Sequence, residues 1–111
     1  MIRSRTVLAT GLAIVLGALV PAHAADGNPE AGKEKTAMCQ GCHGIDGYRT
    51  AYPTVYNVPK LGGQTEAYIV KALDDYRSGA RSHPSMTAIA SSLSDQDVAD
   101  LAAYYSAAGQ Q

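Results

Sequence analysis

Cys39-Gln40-Gly41-Cys42-His43 constrains this chain more than any other stretch of it. Two thiols three residues apart, followed at once by an imidazole, form the C-x-x-C-H pattern of covalent haem c attachment. The spacing has a geometric reason: both sulfurs must reach vinyl groups on one edge of a porphyrin while the histidine turns beneath the metal. A chain built around such a group wraps a large flat apolar body.

The same side chains also suit a redox dithiol, a structural disulfide, or part of a zinc site. A thioredoxin-like dithiol needs a βαβ pattern around the motif, and the sequence offers no strand-rich segment. A structural zinc site needs four ligands, and the mature chain offers only Cys39, Cys42, His43 and His83.

The export context supports haem. Residues 1–24 read as a signal peptide, with Arg3 and Arg5 ahead of an uncharged, mostly apolar run from Val7 to Val20. Ala22-His23-Ala24 supplies the small residues a signal peptidase reads, so the mature domain is expected to be 25–111, located in the periplasm. The alternative is an uncleaved membrane anchor, although the apolar run is short against the about 20 residues a span needs. Nothing later in the chain is apolar enough to insert in a membrane.

A domain this small needs a staple beyond its apolar core. It has seven tyrosines but no tryptophan or phenylalanine. A buried haem supplies apolar volume and cross-links together. The formal net charge is −1, and loss of Arg3 and Arg5 with the leader makes it two units more negative. That balance excludes nucleic acid as a natural partner. Lys60, Lys71, Arg77 and Arg81 gather in the middle of the chain, and Asp95, Asp97 and Asp100 near its end. They read as ordinary solvated surface charge, with a weakly basic face around the cofactor as the alternative.

Three main helices are legible. The first starts at an Asn28 cap followed by Pro29 and Glu30, runs toward Met38, and delivers Cys39 at its C-terminal end. The second starts near Thr65, carries a stripe of Tyr68, Ile69, Ala72, Leu73 and Tyr76, and stops at Gly79. The third opens on Ser94-Asp95-Gln96-Asp97, a capping box with Asp as its acid, and presents Val98, Leu101, Ala102 and Tyr105 to one side before Gly109. Gly44 to Gln64 is rich in glycine and proline and reads as a long loop. A structureless loop of about twenty residues is uncommon in a compact domain, unless it packs on a cofactor. Ala88 to Leu93 adds at most a short helical turn.

His43 is the expected axial ligand on one side of the iron. For the other side Met86 is favoured, in the turn-forming stretch Ser82-His83-Pro84-Ser85-Met86-Thr87, with His83 as the alternative. Met38 lies too close to the cysteines to reach the opposite face. With His43 and Met86 as metal ligands both positions are filled, which suits one-electron transfer and not oxygen or peroxide chemistry.

These residues resemble class I monohaem cytochrome c, the short bacterial periplasmic type, and also one domain of the dihaem periplasmic cytochromes. The resemblance runs through Cys39–Gly44 with Asp46-Gly47, Pro59–Gln64, Tyr76–Arg81 with His83–Met86, Leu93–Asp95 and Leu101–Tyr105. It implies an all-α fold of three main helices and long loops wrapped around one haem c held through Cys39 and Cys42. It implies that Gly32 of the first helix meets Tyr104 of the last, that the Pro59 carbonyl accepts a hydrogen bond from the His43 ring, and that Leu61 packs on the haem. Tyr76 would approach the ligand or a propionate, or serve the core. The chain departs from the shortest relatives in its stretch Tyr48, Arg49, Tyr52, Tyr56, Asn57, read as a loop covering the cofactor, with a partner contact as the alternative. The implied function is periplasmic one-electron carriage between redox protein partners, not catalysis. The alternatives are a haem c subunit of a larger redox enzyme complex, and a haem protein whose sixth ligand exchanges for small gases or peroxide.

Overall fold

The computed structural model describes residues 25–52 and 54–108; the expected leader 1–24, and Gly109 at the expected end of the last helix, lie outside the described residues. In chain order the elements are α1 (Pro29–Glu34), α2 (Ala37–His43), β1 (Arg49–Thr50), β2 (Tyr56–Asn57), α3 (Glu66–Ser78), α4 (Pro84–Ser91) and α5 (Asp95–Ala108). The fold is helical, as expected, with a minimal hairpin inside the long loop.

Four of the expected helix boundaries rest on cap chemistry that the structure displays. Asn28 Oδ1 accepts the backbone N–H groups of Glu30 and Ala31 at 2.9 and 3.3 Å. Thr65 Oγ1 accepts from Tyr68 N–H at 3.3 Å, and Gly79 closes α3 in the left-handed conformation, φ 85°. At the start of α5 the capping box is reciprocal. Ser94 Oγ accepts the Asp97 N–H at 3.1 Å, and the Asp97 carboxylate accepts the Ser94 N–H at 2.9 Å.

The expected continuous first helix is two helices. After α1 the Lys35 and Thr36 amides turn back to the Gly32 and Lys33 carbonyls, at 3.0 and 3.3 Å, instead of continuing the helical ladder. The buried Thr36 hydroxyl donates to the Lys33 carbonyl at 2.8 Å and accepts from Gln40 Nε2 at 2.6 Å. The joint separates α1 from α2, so Cys39 lies within the second helix and not at the end of the first. The second correction concerns α4. Pro84 to Ser91 is an eight-residue helix where a turn and a short helical piece were expected, and Met86 stands in its first turn.

The long loop also holds more structure than expected. Arg49 pairs with Asn57 and Thr50 with Tyr56 in an antiparallel ladder. The Thr50 hydroxyl donates to the Thr54 carbonyl and accepts from the Tyr56 N–H, each at 3.1 Å. The loop returns to the helices through Gly63, whose N–H donates to the Tyr105 carbonyl at 3.1 Å.

α5 is the centre of the fold. Its residues 98–103 are all buried, and α1 and α3 pack against it, with α4 against α3. The core is small: Leu93, Val98 and Leu101, with Cys39, Val70, Leu73 and Tyr105 packed around them. Where α1 crosses α5 there is no room for a side chain. A Cβ on Gly32 would run into the Asp100 carbonyl and lie 2.8 Å from Tyr104 Cβ, so the expected meeting of Gly32 and Tyr104 is a close backbone approach.

Asp100 is the residue that the charge reading misplaced. It is 2 % exposed, not solvated. Its carboxylate accepts the Asn28 N–H at 2.8 Å, Gln96 Nε2 at 2.9 Å and Lys35 Nζ at 2.6 Å. Lys35 also reaches Asp97 at 2.8 Å. Of the central basic residues, Lys71 pairs with Asp75, and Arg77 with Asp74 and Asp95. The Arg77–Asp95 pair, 2.8 Å, joins the end of α3 to the start of α5.

The Lys35 hydrogen bond, ahead of backbone N–H and side-chain donors, holds both Asp97 and Asp100 at about 2, below the ordinary 3.8. Folded-state carboxyls that bind protons more weakly than in the unfolded chain stabilise above the unfolded value and lose that effect as pH falls through the folded one. Thermal stability should therefore drop between about pH 4 and pH 2. Asp100→Asn is expected to lower Tm at pH 6 and to flatten that acid limb; parallel pH profiles of the two proteins would contradict the assignment.

Candidate functional site

α2 brings the two thiols together. Cys39 and Cys42 stand one helical turn apart, on neighbouring positions of one face, and His43 is the last residue of the helix. Both cysteines are free, Cys39 half-buried and Cys42 exposed. Cys39 packs against the Leu93, Val98 and Leu101 core, beside Tyr105. Burial pushes its thiol up from the ordinary value of 9.0, only partly opposed by Tyr105. Burial, then the neighbouring Cys39, likewise raises Tyr105. A disulfide oxidoreductase needs the opposite, a thiol with lowered pKa. The zinc alternative has no support either: among the described residues no three His, Cys, Asp or Glu side chains gather as metal ligands.

His43 is held by one contact. Its Nδ1 lies 2.7 Å from the Pro59 carbonyl oxygen. A carbonyl only accepts, so Nδ1 carries the proton and Nε2 keeps its lone pair for a metal. Proline at 59 supplies a carbonyl from a rigid backbone. Leu61, two residues on, is half-buried.

Met86 is half-buried in the first turn of α4, three residues beyond His83. His83 is the N-cap of that helix: its Nδ1 accepts the Met86 N–H at 3.3 Å. Sequence reasoning did not anticipate this role for His83, because histidine is not among the common capping residues. Tyr76 does not enter the core; the Arg81 guanidinium lies over its ring, 4.8 Å from the centroid.

The residues present fit a haem. No large side chain among the described residues is fully buried, while Met38, Ile45, Tyr48, Val55, Tyr56 and Tyr68 are substantially exposed. They lie on α2, in the loop between α2 and α3, and on α3. So much exposed apolar surface, in a chain that also carries paired thiols and an oriented imidazole, suits a large apolar prosthetic group.

Comparison with known proteins agrees. The sequence profile of the family described as cytochrome c matches residues 29–107. Cytochrome c4 of Pseudomonas aeruginosa is 45% identical over 98 residues, covering 88% of this chain and 46% of its own length. Cytochrome c-554(548) of Halomonas halodenitrificans is 42% identical over 83 residues, covering 72% of this chain and 95% of its own length. The crystal structure of reduced recombinant cytochrome c4 from Pseudomonas stutzeri superposes with a TM-score of 0.60 at 42% identity, over 74% of this chain and 46% of that one. The chain spans about half the length of the cytochrome c4 proteins it matches.

The chain belongs to the cytochrome c family, class I, and matches one domain of the dihaem cytochrome c4 type. Its cofactor is a covalently bound haem c, with Cys39 and Cys42 as the attachment thiols. Replacing both, Cys39→Ala with Cys42→Ala, should leave any retained haem extractable by acidified organic solvent, whereas the native chain keeps its haem through denaturing electrophoresis. Haem that stays bound to the double variant would overturn the attachment.

Proposed function

We propose that the chain is a periplasmic one-electron carrier whose single haem c is ligated by His43 and Met86. The observation that supports this reading is the 2.7 Å contact between His43 Nδ1 and the Pro59 carbonyl, which orients the ring and, in the neutral imidazole, leaves the Nε2 lone pair free for a metal. When bound, the haem supplies a one-electron ferric–ferrous couple. Cys39 would anchor one edge of it to the protein core, and Cys42 the adjacent position on the same helix face. Leu61, beyond the proline that orients His43, would pack against the ring.

Met86 would provide the second axial group. A soft thioether opposite an imidazole favours the ferrous state and raises the reduction potential. Together His43 and Met86 would leave no coordination position for dioxygen or peroxide, which is why the chain reads as a carrier and not an enzyme. Filled coordination by two protein side chains also keeps rearrangement small as the electron arrives and leaves.

Residues 1–24 have the composition of a secretory signal, and haem c chemistry on free thiols suits an exported protein. No helix of the described residues is long and apolar enough to cross a membrane. The partners would be redox proteins, one donor and one acceptor, with nucleic acid disfavoured by the acidic balance of the mature chain.

Met86→Ala is expected to remove the weak far-red iron–sulfur charge-transfer band of the oxidised protein, to lower the reduction potential, and to admit carbon monoxide to the reduced form. An unchanged spectrum and potential would refute Met86 as the ligand.

A further inference from the structure

The segment that carries Met86 is held at its start by an imidazole. His83 has extended backbone, φ −158° and ψ 126°, and precedes Pro84, the first residue of α4. Its Nδ1 takes the Met86 N–H at 3.3 Å, the bond that serine, threonine, aspartate or asparagine ordinarily makes at an N-cap. Two further bonds close the same turn. The His83 N–H donates to Thr87 Oγ1 at 3.5 Å, and the Thr87 N–H donates to the His83 carbonyl at 2.8 Å. His83 thus bonds both Met86 and the residue after it.

The ring itself is positioned from elsewhere in the chain. Tyr56 of β2 packs against it edge-on, with centroids 4.7 Å apart and planes at 67°. Such an arrangement sets the negative face of one ring against the positive edge of the other and is favourable beyond its buried area. A serine could make the same cap, but it offers no ring for Tyr56 to pack on. Tyr56 is also tied to its own turn, its N–H donating to Thr50 Oγ1 at 3.1 Å.

We propose that His83 is a positioning residue for Met86: its Nδ1 holds the Met86 backbone in the first turn of α4, and Tyr56 of the hairpin holds the His83 ring. This rests on Met86 being the axial ligand. It gives the tyrosine-rich loop a task besides covering the cofactor, since the hairpin reaches the ligand segment through one aromatic contact. Weakening the cap leaves the thioether in place but makes it easier to displace.

The test is imidazole titration of the oxidised holoprotein, followed by the far-red iron–sulfur band. His83→Ala should keep the band and bind imidazole roughly five- to tenfold more tightly, the size of a lost N-cap. His83→Asn, which restores a capping acceptor, should return affinity to within about threefold of the native protein. Tyr56→Ala should bind imidazole about threefold more tightly, and Tyr56→Phe, which keeps the ring, like the native protein. If His83→Ala matches the native protein, or His83→Asn binds as tightly as His83→Ala, the positioning role is overturned and Met86 stands as ligand. Failure of the ligand assignment shows separately. Met86→Ala with native band and native imidazole affinity removes both, and a native protein that lacks the iron–sulfur band would leave His83 as the candidate ligand and overturn the proposal.

Discussion

Everything else in the fold depends on the seam where α1 crosses α5. The two helices approach so closely that Gly32 has no space for a Cβ against the Asp100 carbonyl and Tyr104. Gly27, just before α1, meets Ala99 and Ala103 in the same way. Close approach of backbones increases dispersion contact but leaves little apolar side chain to bury. The seam is completed by charge: the Asp100 carboxylate, inside it, accepts the N–H at the head of α1 and the Lys35 ammonium at its tail. One buried carboxylate thus sets both the position and the axial register of a six-residue helix too short to be stable alone. Both of its oxygens meet donors, the condition under which a buried charge is tolerated.

The same seam places the haem-attachment helix. Lys35, the C-cap of α1, is spent on Asp97 and Asp100, and the buried Thr36 stands as the N-cap of α2. One turn later Cys39 lands on the Leu93, Val98 and Leu101 core. The first thiol is therefore part of the core, and the second, Cys42, is at the surface. A group attached through both bridges core and surface. A domain with no fully buried large side chain among its described residues has reason to recruit such a group, because its own apolar volume is small.

The features legible in the sequence are those encoded locally. The C-x-x-C-H spacing is chemical and needs no tertiary context. The caps at Asn28, Thr65 and Ser94, and the left-handed Gly79, are satisfied by residues within three positions of one another. The illegible ones depend on distant partners or on an ambiguous local signal. Asp100 looks like any helix-surface acid, and its burial comes from Asn28 and Lys35 far earlier in the chain. The α1–α2 break has neither glycine nor proline at Lys35-Thr36 to announce it. Ser82-His83-Pro84-Ser85 has the composition of a turn, and the proline that marks it as one is equally at home as the first residue of a helix. The resemblance to class I cytochrome c named Gly32, Tyr104 and Pro59 correctly as contact residues, where composition and periodicity alone are silent.

The two proposed axial residues have different mechanical support. His43 ends a helix anchored in the core by Cys39, and its ring is fixed by a carbonyl on a proline. These constraints act on it before any metal bond forms. Met86 stands near the start of an eight-residue helix that touches the core mainly through α3. Its side chain is flexible, with three rotatable bonds and no hydrogen bond of its own. Whatever precision its sulfur has must come from the backbone of that first turn. The backbone is in turn fixed by Pro84, which pre-sets φ, and by the bonds that close on His83 and Thr87. A carrier that alternates between two oxidation states needs its weaker ligand to stay within reach in both. On the proposed ligation, that order would come from the bonds His83 makes to Met86 and Thr87 and not from the thioether itself.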